Sequence, residues 1–258
     1  MLTTIHKILT QETLSKSDLV TLLSVKSPEA TRMILDKAYQ VKTETVGRKV
    51  YLRGLIELTN ICAKNCLYCG IRAANTKVER YTLSTDEVLQ AAEFAWKNGF
   101  GSLVIQTGEQ VSKAFTNTVE DLLVRIHEKT NHELTITLSC GEQDLEVYKR
   151  WKNAGADRFL LRIETTNRAL YYKIHPQDEN HSFEKRIEAL KNLQLAGFQA
   201  GTGVMIGLPE QTIEDLADDL IFFKTMDIDM IGMGPFIEHA DTPLYDKTHL
   251  LWPADERV

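Results

Sequence analysis

Short apolar runs alternate with helical stretches along most of this chain, and that alternation limits its fold more than any other feature. The runs are "VYLRGLIEL" (50–58), "SLVIQTG" (102–108), "LTITLS" (134–139), "RFLLRIE" (158–164), "QAGTGVMIG" (199–207) and "DMIGMG" (229–234). Each is rich in branched and apolar residues, as strands buried on both faces are. Helices are read between them, after Ser84 and near 119–130, 144–153, 183–195 and 213–226. Ser84 and Glu87 form a capping-box pattern, and Gly99 stops that helix. Strand–helix alternation implies parallel pairing. An open doubly wound sheet and a barrel both satisfy it. Polar residues favour the barrel: Cys62, Thr107 to Gln110, Ser139 to Glu142, Arg162 and Glu164 fall at or just past strand C-terminal ends, where barrels build their sites. The expectation is an α/β chain with a TIM-type parallel barrel of six βα units at 50–258, behind an N-terminal helical cap at 1–49. In the cap, Ser27 reads as an N-cap, with Pro28 at the first helical position.

The 258 residues are 43% hydrophobic and 26% charged, with a net charge of −6. That suits one large domain, or a domain with a small extension. A nucleic-acid partner would call for a basic excess, which is absent. No stretch approaches the ~18–20 apolar residues of a membrane helix. "MLTTIHKILTQETLSKSD" lacks the apolar core and cleavage site of a signal peptide. The chain is therefore expected to be cytoplasmic, without nucleic-acid or membrane partners, in a compartment where thiols stay reduced.

Three of the four cysteines lie in "CAKNCLYCG" (62–70). The C-x3-C-x2-C spacing keeps Cys62, Cys66 and Cys69 on one loop leaving the first strand. In a reducing compartment such a group reads as a metal site rather than a disulfide framework. Iron–sulfur clusters are held by thiolates at short spacings of this kind. Three thiolates on a four-iron cubane would leave one iron without a protein ligand, and an open position is what catalytic metal centres keep. Structural zinc would want a fourth ligand nearby; no histidine lies between residues 7 and 126, and Cys140 is distant. A ferredoxin-like carrier would want one too. A cluster of merely buried thiols is disfavoured by Lys64 and Asn65, which suggest an exposed loop. Cys140 reads as an inert core thiol.

Other residues stand out by position. Arg53 and Glu57 lie four apart on the first strand, hence on one face. Buried parallel strands rarely carry charge without reason. Both are expected to face the barrel interior and meet a polar substrate, with a structural ion pair as the alternative. Arg162 and Glu164 share a face of the fourth strand and fit a polar cofactor site. Gly203 and Gly207 would let backbone approach a ligand closely.

"CAKNCLYCG" resembles the cluster-binding loop of the radical SAM superfamily. "YLRGLIELTNICAKNCLYCGIR", "IQTGEQ", "NAGADRFLLRIETTN" and "GVMIGLPEQTIEDLADDLIFFK" are similar to the HydE-type maturases of [FeFe]-hydrogenase, with biotin synthase and methylornithine synthase as relatives. The resemblance implies a [4Fe-4S] cluster on Cys62, Cys66 and Cys69, with S-adenosylmethionine at its open iron. There the reduced cluster cleaves the sulfonium to a 5'-deoxyadenosyl radical. The resemblance implies Tyr68 near the adenine, Gly108 and Glu109 at the methionine ammonium, and Thr107 as a further cofactor-site residue. It implies Glu164 at the ribose, Arg162 or Arg186 or both at the carboxylate, and Met205 against the adenine. A carboxylate strengthens bonds from an ammonium, and a guanidinium fork suits a carboxylate. The implied role is hydrogenase H-cluster assembly on a small-molecule or organometallic iron substrate. The implied partners are an electron donor such as ferredoxin or flavodoxin, and other hydrogenase maturases. One alternative is a radical SAM enzyme on a small molecule, biotin synthase-like or methylornithine synthase-like. Another is a non-catalytic iron–sulfur scaffold, which would need no Glu109, Arg162 and Glu164. The match loosens at "QDENHS" (177–182), read as a surface variation. It ends after the sixth strand, where HydE-like chains continue to eight, so the barrel is expected to be partial.

Overall fold

The computed structural model describes residues 1–245. Three helices come first: α1 (Leu2–Leu9), α2 (Lys16–Leu23) and α3 (Pro28–Thr45). Local chemistry starts them where expected. Ser15 and Asp18 close a capping box on α2, and Ser27 accepts from the Ala30 N–H with Pro28 opening α3. The α1 helix buries Ile5 and Ile8. The α2 helix rests on a later helix, and Lys16 pairs with Asp218 there at 2.6 Å.

The rest alternates strand and helix: β1 (Gly54–Thr59), α4 (Thr85–Lys97), β2 (Ser102–Thr107), α5 (Lys113–Lys129), β3 (Thr135–Ser139), α6 (Leu145–Asn153) and β4 (Ala156–Leu160). Then follow α7 (Arg168–Ile174), α8 (Phe183–Leu195), β5 (Gln199–Thr202), β6 (Met205–Ile206), α9 (Ile213–Thr225), β7 (Met230–Ile231) and β8 (Gly234–Pro235). Six strands form one sheet in the order β1-β2-β3-β4-β5-β7, every pair parallel. The edges β1 and β7 are not paired to each other, so the sheet is a partial barrel as expected.

Strand alternation gives the sheet two unlike faces. Ile56, Leu58, Leu103, Ile105, Ile136, Leu138 and Phe159 pack with Val88, Leu122, Ile126, Trp151 and Leu190 of the covering helices. Trp151 stacks on Phe159 at 6.2 Å. Truncating Phe159 to alanine would cost about 3–5 kcal/mol, the usual range for a buried aromatic. On the other face Leu55, Glu57 and Gln106 are exposed. Glu57 stands opposite Gln106, and Gln106 opposite Ser139.

The boundaries differ from expectation in five places, the sixth run among them: its strand in the main sheet ends at Ile231, and Gly234–Pro235 pairs with β6 in a separate two-stranded sheet. The first strand begins at Gly54, not Val50, and its first pair is Gly54 with Leu103. Arg53 thus precedes the strand and is exposed. The fourth strand ends at Leu160, so Arg162 and Glu164 lie beyond it. The fifth run breaks at Gly203, where a β-carbon would stand 1.8 Å from the Gly232 carbonyl oxygen. That glycine admits neighbouring backbone, not a ligand. Finally, α7 was not expected. Asn167 starts it by accepting from the Ala169 and Leu170 N–H groups. Among the described residues no helix is long and apolar enough to cross a membrane. Residues 246–258, the end of the expected second unit, lie outside the described residues.

Candidate active site

The cysteine loop leaves β1 and folds back over the C-terminal end of β2. Gly108 makes this possible: a β-carbon there would stand 2.3 Å from the Ile61 carbonyl oxygen. The Ala63 N–H donates to the Glu109 carbonyl at 2.8 Å. The Cys62 Sγ accepts from two backbone N–H groups, those of Lys64 at 3.4 Å and Glu109 at 3.3 Å. Arg80 ties the loop's far end. Its guanidinium donates to the carbonyls of Asn60, Ile71, Arg72 and Asn75 at 2.6, 2.8, 2.7 and 3.1 Å. Nothing in the spacing of the sequence pointed to Arg80, since a lone loop arginine reads as a solvated charge.

Beside the loop lies a buried network of two cations and two carboxylates. Lys64 Nζ is 2.9 Å from both Glu109 Oε1 and Glu142 Oε2. Arg186 reaches the same pair, with Nε 2.6 Å from Glu142 Oε1 and Nη2 3.4 Å from Glu109 Oε2. Lys64 is only 7% exposed, against the expectation of an exposed loop residue, and Arg186 is 9% exposed. Balanced charge explains this, since buried ions persist when paired. Burial works to lower the Lys64 pKa, but the Glu109 and Glu142 carboxylates outweigh it and hold the ammonium above its usual range. Glu142 was not singled out in the sequence. A cavity of about 430 Å³ opens on the flank of this network, lined by Lys64, Glu109, Glu142, Asn180 and Lys185. None of the three loop cysteines lines it.

Tyr68, Arg162, Glu164 and Met205 meet on another side of the loop. Met205 is buried with Leu170, Ile174, Leu208 and Phe236, and Tyr68 packs against that group. The Glu164 carbonyl accepts from the Met205 N–H at 3.0 Å. Arg162 Nε donates to both Glu164 carboxylate oxygens at 3.0 Å, and Nη2 donates to the Val204 carbonyl at 2.9 Å. Glu164 has φ of +67°. Such a conformation costs a non-glycine residue roughly 1–3 kcal/mol and clusters at functional sites. Burial raises the Glu164 carboxyl pKa, and Arg162 and Arg186 oppose it. Thr107 turns elsewhere: its hydroxyl is buried beside Cys140 in the core. Arg53 and Glu57 do not pair with each other. Arg53 Nη1 contacts Met230 Sδ at 4.0 Å, linking the two edge strands' ends, while Glu57 projects from the open face.

The donor set is of the kind that holds an iron–sulfur cluster: Cys62, Cys66 and Cys69 are half-buried free thiols carried on one loop. Burial pushes the Cys66 thiol up to about 12 and raises Cys69 as well. Thiols so placed become ligands only where a metal supplies the positive charge that deprotonates them. The two N–H groups on Cys62 Sγ are the kind of contact that tunes a cluster's potential.

Residues 56–223 match the family model described as the radical SAM superfamily. The chain is 40% identical to the [FeFe] hydrogenase maturase subunit HydE of Thermotoga maritima over 225 residues, covering 87% of this chain and 63% of that protein. It is 28% identical to 2-iminoacetate synthase of Salmonella typhimurium, covering 80% of this chain and 54% of that one. The chain therefore spans under two thirds of the length of these relatives. Among solved structures, methylornithine synthase superposes with a TM-score of 0.84 at 25% identity, covering 94% of this chain and 70% of that chain. The [FeFe]-hydrogenase maturase HydG superposes with a TM-score of 0.85 at 21% identity, covering 99% and 58%, a likeness of fold. With a family match over most of its length, a parallel partial barrel and three thiols on the loop after β1, this chain belongs to the radical SAM superfamily.

Proposed function

We propose that this chain holds a [4Fe-4S] cluster on Cys62, Cys66 and Cys69 and binds S-adenosylmethionine beside it, in the maturation of [FeFe]-hydrogenase. The observation that carries this is the junction of Glu109 with the loop. Its N–H bonds the Cys62 sulfur while its carboxylate sits in the buried network. When bound, the cluster supplies the electron that cleaves the sulfonium C–S bond. The chain's residues bind and orient. Glu109, beside Gly108, accepts from the methionine ammonium. Arg162, with Arg186 as the second guanidinium, takes the carboxylate. Glu164 accepts from the ribose hydroxyls, and Tyr68 and Met205 flank the adenine. Thr107 serves through its backbone, since its hydroxyl is in the core. Arg53 and Glu57 face the substrate, an organometallic iron compound or a small molecule. An electron donor such as ferredoxin or flavodoxin and the other maturases are the partners. The similarity to HydE supports maturation over the small-molecule alternatives.

The test is anaerobic reconstitution. About four irons and four sulfides per chain are expected, as for a thiolate-bound cubane. 5'-Deoxyadenosine should form on reduction with S-adenosylmethionine. A Cys66→Ala variant that keeps a full cluster responsive to S-adenosylmethionine would refute the ligand assignment.

A further inference from the structure

Residues 174–182, "IHPQDENHS", include the stretch 177–182 where the sequence suggested a surface variation, yet they grip the cysteine loop. His181 is 2% exposed and His175 is 2% exposed. His181 Nε2 meets the Asn65 N–H at 2.8 Å, and its Nδ1 meets Asp178 Oδ1 at 2.6 Å. A backbone N–H can only donate. Nε2 is therefore the bare acceptor nitrogen, and the ring proton sits on Nδ1, facing the Asp178 carboxylate. His175 repeats the pattern. Its Nδ1 is 2.9 Å from the Tyr171 carbonyl, which can only accept, so Nδ1 carries the proton there too. That leaves Nε2 to accept the Tyr68 hydroxyl proton, at 3.3 Å. Burial pushes the His175 pKa down to about 3, in keeping with a neutral ring. Two backbone contacts complete the grip. The Leu67 N–H donates to the Ile174 carbonyl at 2.9 Å, and Lys64 Nζ donates to the Asn180 carbonyl.

We infer that this segment is a brace for the cluster loop, in which His181 and His175 are positioning residues. His181 fixes the backbone at Asn65, between Cys62 and Cys66. His175 fixes the Tyr68 ring, which it meets edge-on with centroids 5.4 Å apart. The inference rests on the function proposed above, because it assigns what the brace positions: three thiolates for the cluster and one aromatic face for the cofactor. Each histidine offers the loop an acceptor and no donor, which suits the Asn65 N–H and the Tyr68 O–H, the latter also within bonding reach of the Cys66 thiol.

The experiment compares His181→Leu with His181→Gln, and His175→Phe with Tyr68→Phe. Leucine fills the buried space but accepts nothing; glutamine restores an acceptor oxygen. Amide hydrogen exchange over residues 62–69 is measured first on the chain without cluster, so this readout does not depend on the cofactor. Exchange at Asn65 is expected to rise at least tenfold in His181→Leu and to return toward the parent rate in His181→Gln. After reconstitution, His181→Leu should show a shifted cluster midpoint potential and an altered spectral response to S-adenosylmethionine, both restored in His181→Gln. His175→Phe can keep the stack on Tyr171 but loses both ring nitrogens, the acceptor for Tyr68 and the donor to the Tyr171 carbonyl. Because the two changes share the Tyr68–His175 bond, their effects on S-adenosylmethionine affinity should be non-additive, the double variant losing less than the sum of the single losses. Unchanged exchange at Asn65 in His181→Leu overturns the His181 role, and additive effects of His175→Phe and Tyr68→Phe overturn the His175 role. Failure of the parent chain to take up a cluster would instead refute the proposed function, and the exchange result would still decide whether the brace exists.

Discussion

A β-carbon on Gly141 would stand 2.1 Å from Cγ of Glu109. The Glu109 side chain thus lies across the turn after β3, where only glycine leaves room. Gly141 also has φ of +76°. Gly99 shares that conformation, at +74°, but has nothing within 4 Å of the same position. The pair separates strain from contact. Gly99→Ala is expected to cost about 1–2 kcal/mol, the usual penalty for a left-handed alanine. Gly141→Ala should cost more and should also weaken S-adenosylmethionine binding by displacing Glu109. Urea unfolding and calorimetric titration check this. Equal losses of stability, with affinity unchanged, would show that the contact carries nothing.

Glu109 should matter twice. Glu109→Ala removes a charge-assisted bond worth about 1.5–3 kcal/mol, or roughly tenfold to hundredfold in S-adenosylmethionine affinity. It also leaves Lys64 and Arg186 sharing Glu142 alone, and an uncompensated buried charge is destabilising. A Lys64→Met, Glu109→Ala double variant restores the charge balance. It is expected to regain stability but not affinity. Recovery of both in the double variant would show that Glu109 serves only the network.

The element order was legible because each strand and helix carried its own local signal. Ser84 with Glu87 and Ser27 with Pro28 start helices by chemistry contained within four residues. The three thiols were legible for the same reason. What stayed hidden depended on distant partners. Lys64 looked exposed because its two carboxylates come from the ends of β2 and β3. His181 looked like surface because its partner, Asn65, is 116 residues away. Arg162 and Glu164 were found together for a partly wrong reason. They lie beyond the strand, and their pairing depends on the left-handed turn at Glu164.

Asp219 predicts a pH dependence. It is fully buried on α9, and its Oδ1 accepts from the Thr166 N–H at 2.7 Å and the Thr166 hydroxyl at 2.6 Å. Burial pushes its carboxyl pKa up from 3.8 to about 6. The folded chain then binds this proton more tightly than the unfolded chain. The stabilisation is complete below about pH 4 and is lost as the pH rises through about 6, amounting to roughly 3 kcal/mol. Asp219→Asn keeps an acceptor for Thr166 and cannot ionise. It should be the more stable form above pH 6 and should flatten the slope between pH 4.5 and 7. Parallel stability curves for the two proteins across that range would contradict the assignment.

The open face of the sheet yields the last prediction. Glu57 and Gln106 stand side by side there, exposed, below the rim that carries Glu109 and Arg162. Arg53, just before β1, reaches Met230 on the opposite edge strand. The groups assigned to the cofactor come from the strand ends and the loops beyond them, whereas Glu57 is within β1. A substitution at Glu57 should therefore separate substrate handling from cofactor binding. Glu57→Gln keeps the shape and removes the charge. If Glu57 bonds a polar or cationic substrate group, the loss is about 1.5–3 kcal/mol, or roughly tenfold to hundredfold in turnover at low substrate. Affinity for S-adenosylmethionine should stay at the parent value, and so should cluster content. Arg53→Ala should behave alike but more weakly, because its exposed side chain is screened by water. The readouts are hydrogenase maturation with the other maturases supplied, 5'-deoxyadenosine yield and cofactor titration on the same preparations. Unimpaired maturation by Glu57→Gln would remove Glu57 from the substrate site, and a parallel fall in cofactor affinity would place it in the cofactor site instead.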